Sequence, residues 1–114
     1  MAEKTVFQRI LDREIPADIV FEDERCLAFR DIHPQAPVHV VVIPKKPIPT
    51  LNDITEEDEA LVGHLFVAMR EIASRLGLHK GYRVVVNCGP DAGQVVMHVH
   101  FHLLGGREFG WPPG

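Results

Sequence analysis

Four of the seven histidines bear on chemistry, and three of them stand in one run, Met97-His98-Val99-His100-Phe101-His102-Leu103. Successive side chains of a strand point to opposite faces, so this spacing puts His98, His100 and His102 on one side. Met97, Val99, Phe101 and Leu103 then face the core. Three readings follow. In a metal site, an H-x-H pair supplies two ligands about 6.5–7 Å apart, but the third histidine lies about 13 Å from the first, so a further ligand such as His39 is needed. In nucleophilic catalysis on phosphorus, one neutral imidazole attacks, its unperturbed pKa of about 6.5 leaving it unprotonated near pH 7. Bond cleavage then divides into two easier steps through a covalent phosphohistidine. The flanking histidines fix its tautomer, donate to phosphate oxygens or shuttle protons. In the third reading the face is solvated and does no chemistry.

Whatever the chemistry, the remaining elements must position it. The chain has 114 residues, 46% hydrophobic and 25% charged, which suits one domain spanning 1–114 with a single core. Twelve basic against 16 acidic residues give a net charge of −4. No basic stripe is available for nucleic acid, so any phosphate must be held by a local site. Cys26 and Cys88 lie far apart and read as reduced thiols of a cytoplasmic protein. The opening stretch lacks the apolar segment of a signal peptide, and no run approaches the roughly 18–20 apolar residues of a membrane span.

Val6, Phe7, Ile10 and Leu11 predict a short amphipathic helix before Pro16. Ile19 to Glu22 and Cys26 to Asp31 read as strands joined by a Glu22-Asp23-Glu24 turn. A proline-punctuated loop, Asp31 to Pro37, leads into a β-branched strand from His39 to Ile43. Thr55 and Asp58 form a capping box ahead of a long helix. Its stripe is Leu61, Leu65, Ala68, Met69, Ile72 and Leu76, with Gly77 closing it. Tyr82 to Asn87 and Met97 to Leu104 are the last strands, separated by a turn-rich loop from Cys88 to Gln94. Roughly five strands and one long helix predict an α+β fold with helices on one face of the sheet. No Walker A or dinucleotide-binding pattern occurs, nor an obvious Mg²⁺ carboxylate cluster.

His98-Val99-His100-Phe101-His102-Leu103-Leu104 resembles the H-φ-H-φ-H-φ-φ motif of the histidine triad (HIT) superfamily, φ being apolar. Asp31-Ile32-His33-Pro34-Gln35-Ala36-Pro37-Val38-His39 and Ile43-Pro44-Lys45-Lys46 resemble segments of its Hint branch. So do Gly81-Tyr82-Arg83, Asn87, Gly93-Gln94, and the ending from Leu104-Gly105-Gly106-Arg107 to Trp111-Pro112-Pro113-Gly114. The likeness runs through nearly the whole chain in order.

This resemblance implies a five-stranded antiparallel sheet with one long and one short helix, dimerising into one continuous sheet of about ten strands. It implies a purine nucleoside phosphoramidase that cleaves the P–N bond of adenosine 5′-phosphoramidates to AMP and amine, with neither cofactor nor metal. The alternatives are a dinucleoside polyphosphate hydrolase and a non-catalytic purine nucleotide-binding or scaffold protein. His100 matches the nucleophile, His98 and His102 its flanking partners, and His39 the fourth histidine. Asn87 and Gly93 match phosphate contacts, joined by His102, and Asp31 the carboxylate that accepts the ribose hydroxyls. Phe7, Ile10, Phe29, Ile32 and Val41 fall where the family builds its purine slot. Val95 departs from the pattern: the branch commonly has serine there, and only a backbone N–H remains to meet an anion.

His64 reads as a surface or groove residue of the long helix, His79 and Lys80 as solvated. His33 reads as a residue of the proline loop, with lining the pocket mouth as the lesser alternative, and Lys45-Lys46 as a solvated strand-end pair, with steering of phosphates as the lesser alternative. Trp111 is expected to pack against the partner of a homodimer.

Overall fold

A computed structural model describes residues 3–114. The chain runs α1 (Val6–Leu11), β1 (Ile19–Glu22), β2 (Cys26–Arg30), β3 (Val38–Pro44), α2 (Glu59–Arg75), β4 (Tyr82–Val86) and β5 (Phe101–Gly105). Single 3₁₀ turns occupy Leu51–Asp53, Glu56–Asp58 and Pro90–Ala92. The strands form one antiparallel sheet in the order β1-β2-β3-β5-β4. β3 and β5 are therefore neighbours although α2 and β4 separate them in sequence, and this pairing brings the fourth histidine to the other three.

Each end of α2 follows from its local sequence. The Asp58 carboxylate accepts the Thr55 backbone N–H at 3.0 Å, which satisfies a donor that the helix start leaves without a partner. At the other end Gly77, with φ +75°, allows paired bonds from Gly77 N–H to Ser74 O and from Leu78 N–H to Ala73 O. This is a Schellman termination, which only glycine adopts without strain. Leu65, Ala68, Met69 and Ile72 are buried as the periodicity requires.

Alternation along β2, β3 and β5 divides the core in two. Cys26, Ala28, Val40, Val42, Phe101 and Leu103 pack under α2. Leu27, Phe29, Val41 and Ile43 point the other way, onto Ile10 with Phe7 and Leu11 of α1. The expectation of helices on one face is corrected here: α1 covers the opposite face, because these central strands are apolar on both sides and each side must be buried.

The β1–β2 turn stands as expected, and one further local expectation, the start of the last strand, changes. The β1–β2 turn has no Asn-Gly pair; the Asp23 carboxylate builds it by accepting the Arg25 and Cys26 backbone N–H groups at 2.8 and 2.9 Å. The last strand begins at Phe101, not Met97, and Met97 is 47% exposed where alternation had placed it in the core. Pro44 at the end of β3 has no N–H to continue the ladder. The Val99 N–H instead reaches Ile48 O at 2.6 Å, so residues 97–100 run beside the sheet without joining it.

Candidate active site

The three triad histidines converge on the α1 face even though two of them precede β5. His98 and His100 are 2% and 7% exposed and His39 6%, which excludes the solvated-ridge reading. Phe7 of α1 closes over them, its ring 4.9 Å from His100, 6.3 Å from His98 and 5.5 Å from Phe29, all edge-on. The His102 ring lies 5.1 Å from both His100 and His39. The cluster thus stands on β3, β5 and the segment before β5, with α1 as its cover.

The hydrogen-bond partners assign every tautomer. His98 Nε2 lies 2.8 Å from Pro44 O, and a carbonyl only accepts, so that nitrogen carries the proton. His100 Nδ1 lies 2.7 Å from His98 O by the same logic, leaving the lone pair of His100 on Nε2. The Gln35 backbone N–H donates to His39 Nδ1 at 3.0 Å, so His39 carries its proton on Nε2. That proton goes to His102 Nδ1 at 2.9 Å, and His102 keeps its own on Nε2. The Asp31 carboxylate stands 3.4 Å from His39 Nε2, close enough to act on it electrostatically without forming a hydrogen bond.

Electrostatics keep the cluster neutral. Burial lowers the pKa of His98, of His100 and of His39, the last against an opposing pull from Asp31. His102 falls to about 4, through burial first and then through His100 and His39 beside it. Neutral imidazole is the nucleophilic form of a histidine, and burial favours it near neutral pH.

The other expected site residues are distributed around this cluster. Asp31 is half-buried at the end of β2, and its Oδ1 accepts the His33 N–H at 2.8 Å. Asn87 Nδ2 donates to Ala92 O at 2.7 Å and so braces the loop that carries Gly93, a left-handed residue at φ +81°. Val95 is 86% exposed. Ile10, Phe29 and Val41 lie buried beneath Phe7, whereas Ile32 is 86% exposed on the turn after β2.

Sequence reading passed over two residues. Gln94 is buried and pins the same loop, donating to Pro49 O and Val96 O while accepting the Gly89 N–H. Gln35 sets the His39 tautomer through its backbone, which no side-chain pattern reveals.

Among the described residues, two groups offer possible metal ligands within 4.8 Å of one another: Asp31 with His39 and His102, and Asp23 with Cys26 and His64. In the first, the nitrogens that face each other already share the His39 proton. In the second, His64 Nε2 donates to Asp23 at 2.6 Å while Arg25 donates to His64 Nδ1 at 3.0 Å. A metal-bound histidine needs an acceptor on its other nitrogen, and Arg25 is a donor. That trio is a clasp between α2 and the β1–β2 turn, and His64 is half-buried in it. Burial and the Asp23 charge hold the Cys26 thiol up at about 12, an unreactive group.

A family model described as HIT domain matches residues 12–109. An uncharacterized HIT-like protein of Synechococcus elongatus is 59% identical over 114 residues, the full length of both chains. A HIT family hydrolase from Legionella pneumophila superposes with a TM-score of 0.95 at 48% identity, over 97% of this chain and all of that one. A histidine triad nucleotide-binding protein from Candida albicans does so with a TM-score of 0.81 at 32% identity, over 96% and 83%. The chain belongs to the HIT domain family.

Proposed function

We propose that the protein is a purine nucleoside phosphoramidase that hydrolyses adenosine 5′-phosphoramidates to AMP and amine. One observation carries the reading: the bond from His100 Nδ1 to His98 O leaves the His100 Nε2 lone pair free in a buried, neutral cluster. Attack by Nε2 on the α-phosphorus forms an N–P bond and breaks the P–N bond of the substrate; the departing amine takes a proton from the histidine cluster or from water. His100 becomes cationic in this step, and its Nδ1–H already faces a carbonyl oxygen. That bond strengthens as charge develops, so the stabilisation acts on the transition state more than on the ground state. His102 offers its Nε2 proton to the phosphate oxygens. Water then cleaves the adduct, releasing AMP and restoring His100.

In this reading Asn87, Gly93 and the Val95 backbone N–H meet the phosphate and Asp31 receives the ribose hydroxyls, a diol presenting two donors to one carboxylate. The purine lies against Phe7 and Ile32, with Ile10, Phe29 and Val41 as packing below. Residues 1–114 form one HIT domain, working in the cytoplasm. The protein acts as a homodimer, a reading supported by Trp111, 84% exposed on the single chain, and by the edge position of β4.

The test is AMP release from adenosine 5′-phosphoramidate in EDTA, beside a dinucleoside polyphosphate. Faster turnover of the phosphoramidate, without added metal, supports the proposal. AMP binding without turnover of either compound refutes it in favour of a nucleotide-binding protein.

A further inference from the structure

The segment after β5 reaches back to the loop that governs the histidine cluster. Gly106, at φ +90°, crosses so close to Pro37 that a Cβ there would meet the proline ring at 2.9 Å. The next residue, Arg107, donates from Nη2 to Gln35 O at 3.1 Å, with Nε at 3.4 Å from the same oxygen. Its Nη1 donates to Glu108 O at 2.9 Å, and its guanidinium lies 4.2 Å from the Phe109 ring centroid. Arg83 stacks on the same ring at 5.1 Å and donates to Gly110 O at 2.9 Å. The guanidinium is therefore fixed by its own segment before it meets Gln35. On the other side of the Gln35 Cα, the backbone N–H donates to His39 Nδ1.

We propose that Arg107 is a positioning residue for the reaction: by holding Gln35 it fixes the His39 tautomer and, through it, the atom that His102 presents to the substrate. The proposal rests on the phosphoramidase reading for its kinetic consequence, but not for its structural one. With Gln35 in place, His39 Nδ1 accepts, Nε2–H donates to His102 Nδ1, and His102 Nε2 carries a proton. If Gln35 drifts, His39 can carry its proton on Nδ1 instead. Its Nε2 lone pair then faces the lone pair on His102 Nδ1, and the bond survives only if His102 reverses too. A reversed His102 meets the phosphate oxygens with a lone pair, which repels them. Gln35 is an exposed loop residue between Pro34 and Ala36, and Arg107 is the side chain that ties its carbonyl to the tail.

The experiment uses ¹⁵N-histidine-labelled full-length protein without substrate, as wild type, Arg107→Ala and Arg107→Lys. Two-bond ¹H–¹⁵N spectra report which ring nitrogen is protonated, whatever the protein catalyses. Wild type should show protonated Nε2 at His39 and His102. Arg107→Ala should give mixed tautomers at both, with kcat lowered roughly tenfold and KM little changed, as expected for a misplaced group. Arg107→Lys retains one donor for Gln35 O and should recover part of each effect. Tautomers unchanged in Arg107→Ala would overturn the proposal, at any rate of turnover. Mixed tautomers in that variant, in a protein that never turns over the phosphoramidate, would support the relay and refute the enzymatic reading.

Discussion

His39 and His102 stand 63 residues apart in sequence and share one proton across 2.9 Å. The antiparallel register of β3 and β5 places Val41 opposite His102 and His39 opposite Leu104, so the two imidazoles are diagonal neighbours on one face. Each has a different second neighbour: Gln35 N–H for His39 and the His100 ring for His102. A chain of neutral imidazoles thereby runs from an exposed loop to His100, the proposed nucleophile.

The pH dependence follows from that neutrality. Burial lowers the pKa of each of the four cluster histidines below 6.5, that of His102 to about 4, so the neutral form that the proposed attack requires is present at neutral pH and is lost in acid. kcat/KM should be level between pH 6.5 and 8 and fall on the acid side, between about 6.5 and 4. Stability follows the same direction. The folded state resists protons that the unfolded chain accepts, so stability is at its full value above the unfolded pKa and is lost as pH falls from 6.5 through about 4. Denaturation midpoints between pH 8 and 4 check this; a midpoint that rises in that acid window would contradict it.

Val95 is 86% exposed, and in the proposed binding mode only its backbone N–H meets the phosphate, so Val95→Ser adds a hydroxyl there. One added donor aimed at developing phosphate charge should raise kcat by about tenfold or shift the preferred leaving amine. Steady-state constants for two phosphoramidates with different amines decide the matter. Constants unchanged for both would remove Val95 from the site.

Asp23→Ala tests the clasp away from the histidine cluster. The carboxylate accepts the Arg25 and Cys26 N–H groups and the His64 Nε2 proton. Burial raises its pKa, but these bonds together outweigh that and hold it down at about 2. Their contribution is therefore present at neutral pH and is lost as pH falls from 3.8, the ordinary carboxylate value, through about 2. Removing the carboxylate should cost about 2–3 kcal/mol in urea denaturation and leave kcat unaltered. Asp23→Asn keeps acceptors for the backbone donors and should cost less. Equal midpoints for wild type and the alanine variant would show the clasp to be idle.

Where local chemistry decides an element, the sequence was legible. Ile19–Glu22 is a strand as read, the Thr55–Asp58 box and Gly77 bound the long helix region, and the apolar stripe is buried from Leu65 to Ile72, with Leu61 and Leu76 half-buried at its ends. The placement of α1 was not legible, because the face a six-residue helix covers depends on what the sheet leaves open. The start of β5 was misread for a related reason. Alternation continues through Met97, but pairing stops where Pro44 has no donor, a property of the neighbouring strand. His98, His100, His102 and His39 were visible as a set of imidazoles; their tautomers were not. Three of the four partners that assign them are backbone groups of Pro44, His98 and Gln35.

The most direct test of the account is to trap the covalent species. Wild type and His100→Ala are mixed with adenosine 5′-phosphoramidate in EDTA, quenched within a single turnover, and their peptides weighed by mass spectrometry. One adenylyl group is expected on His100 of the wild type, formed before steady-state AMP release, with neither adduct nor turnover in the variant. Turnover with no adduct on His100, or undiminished turnover by His100→Ala, would contradict it.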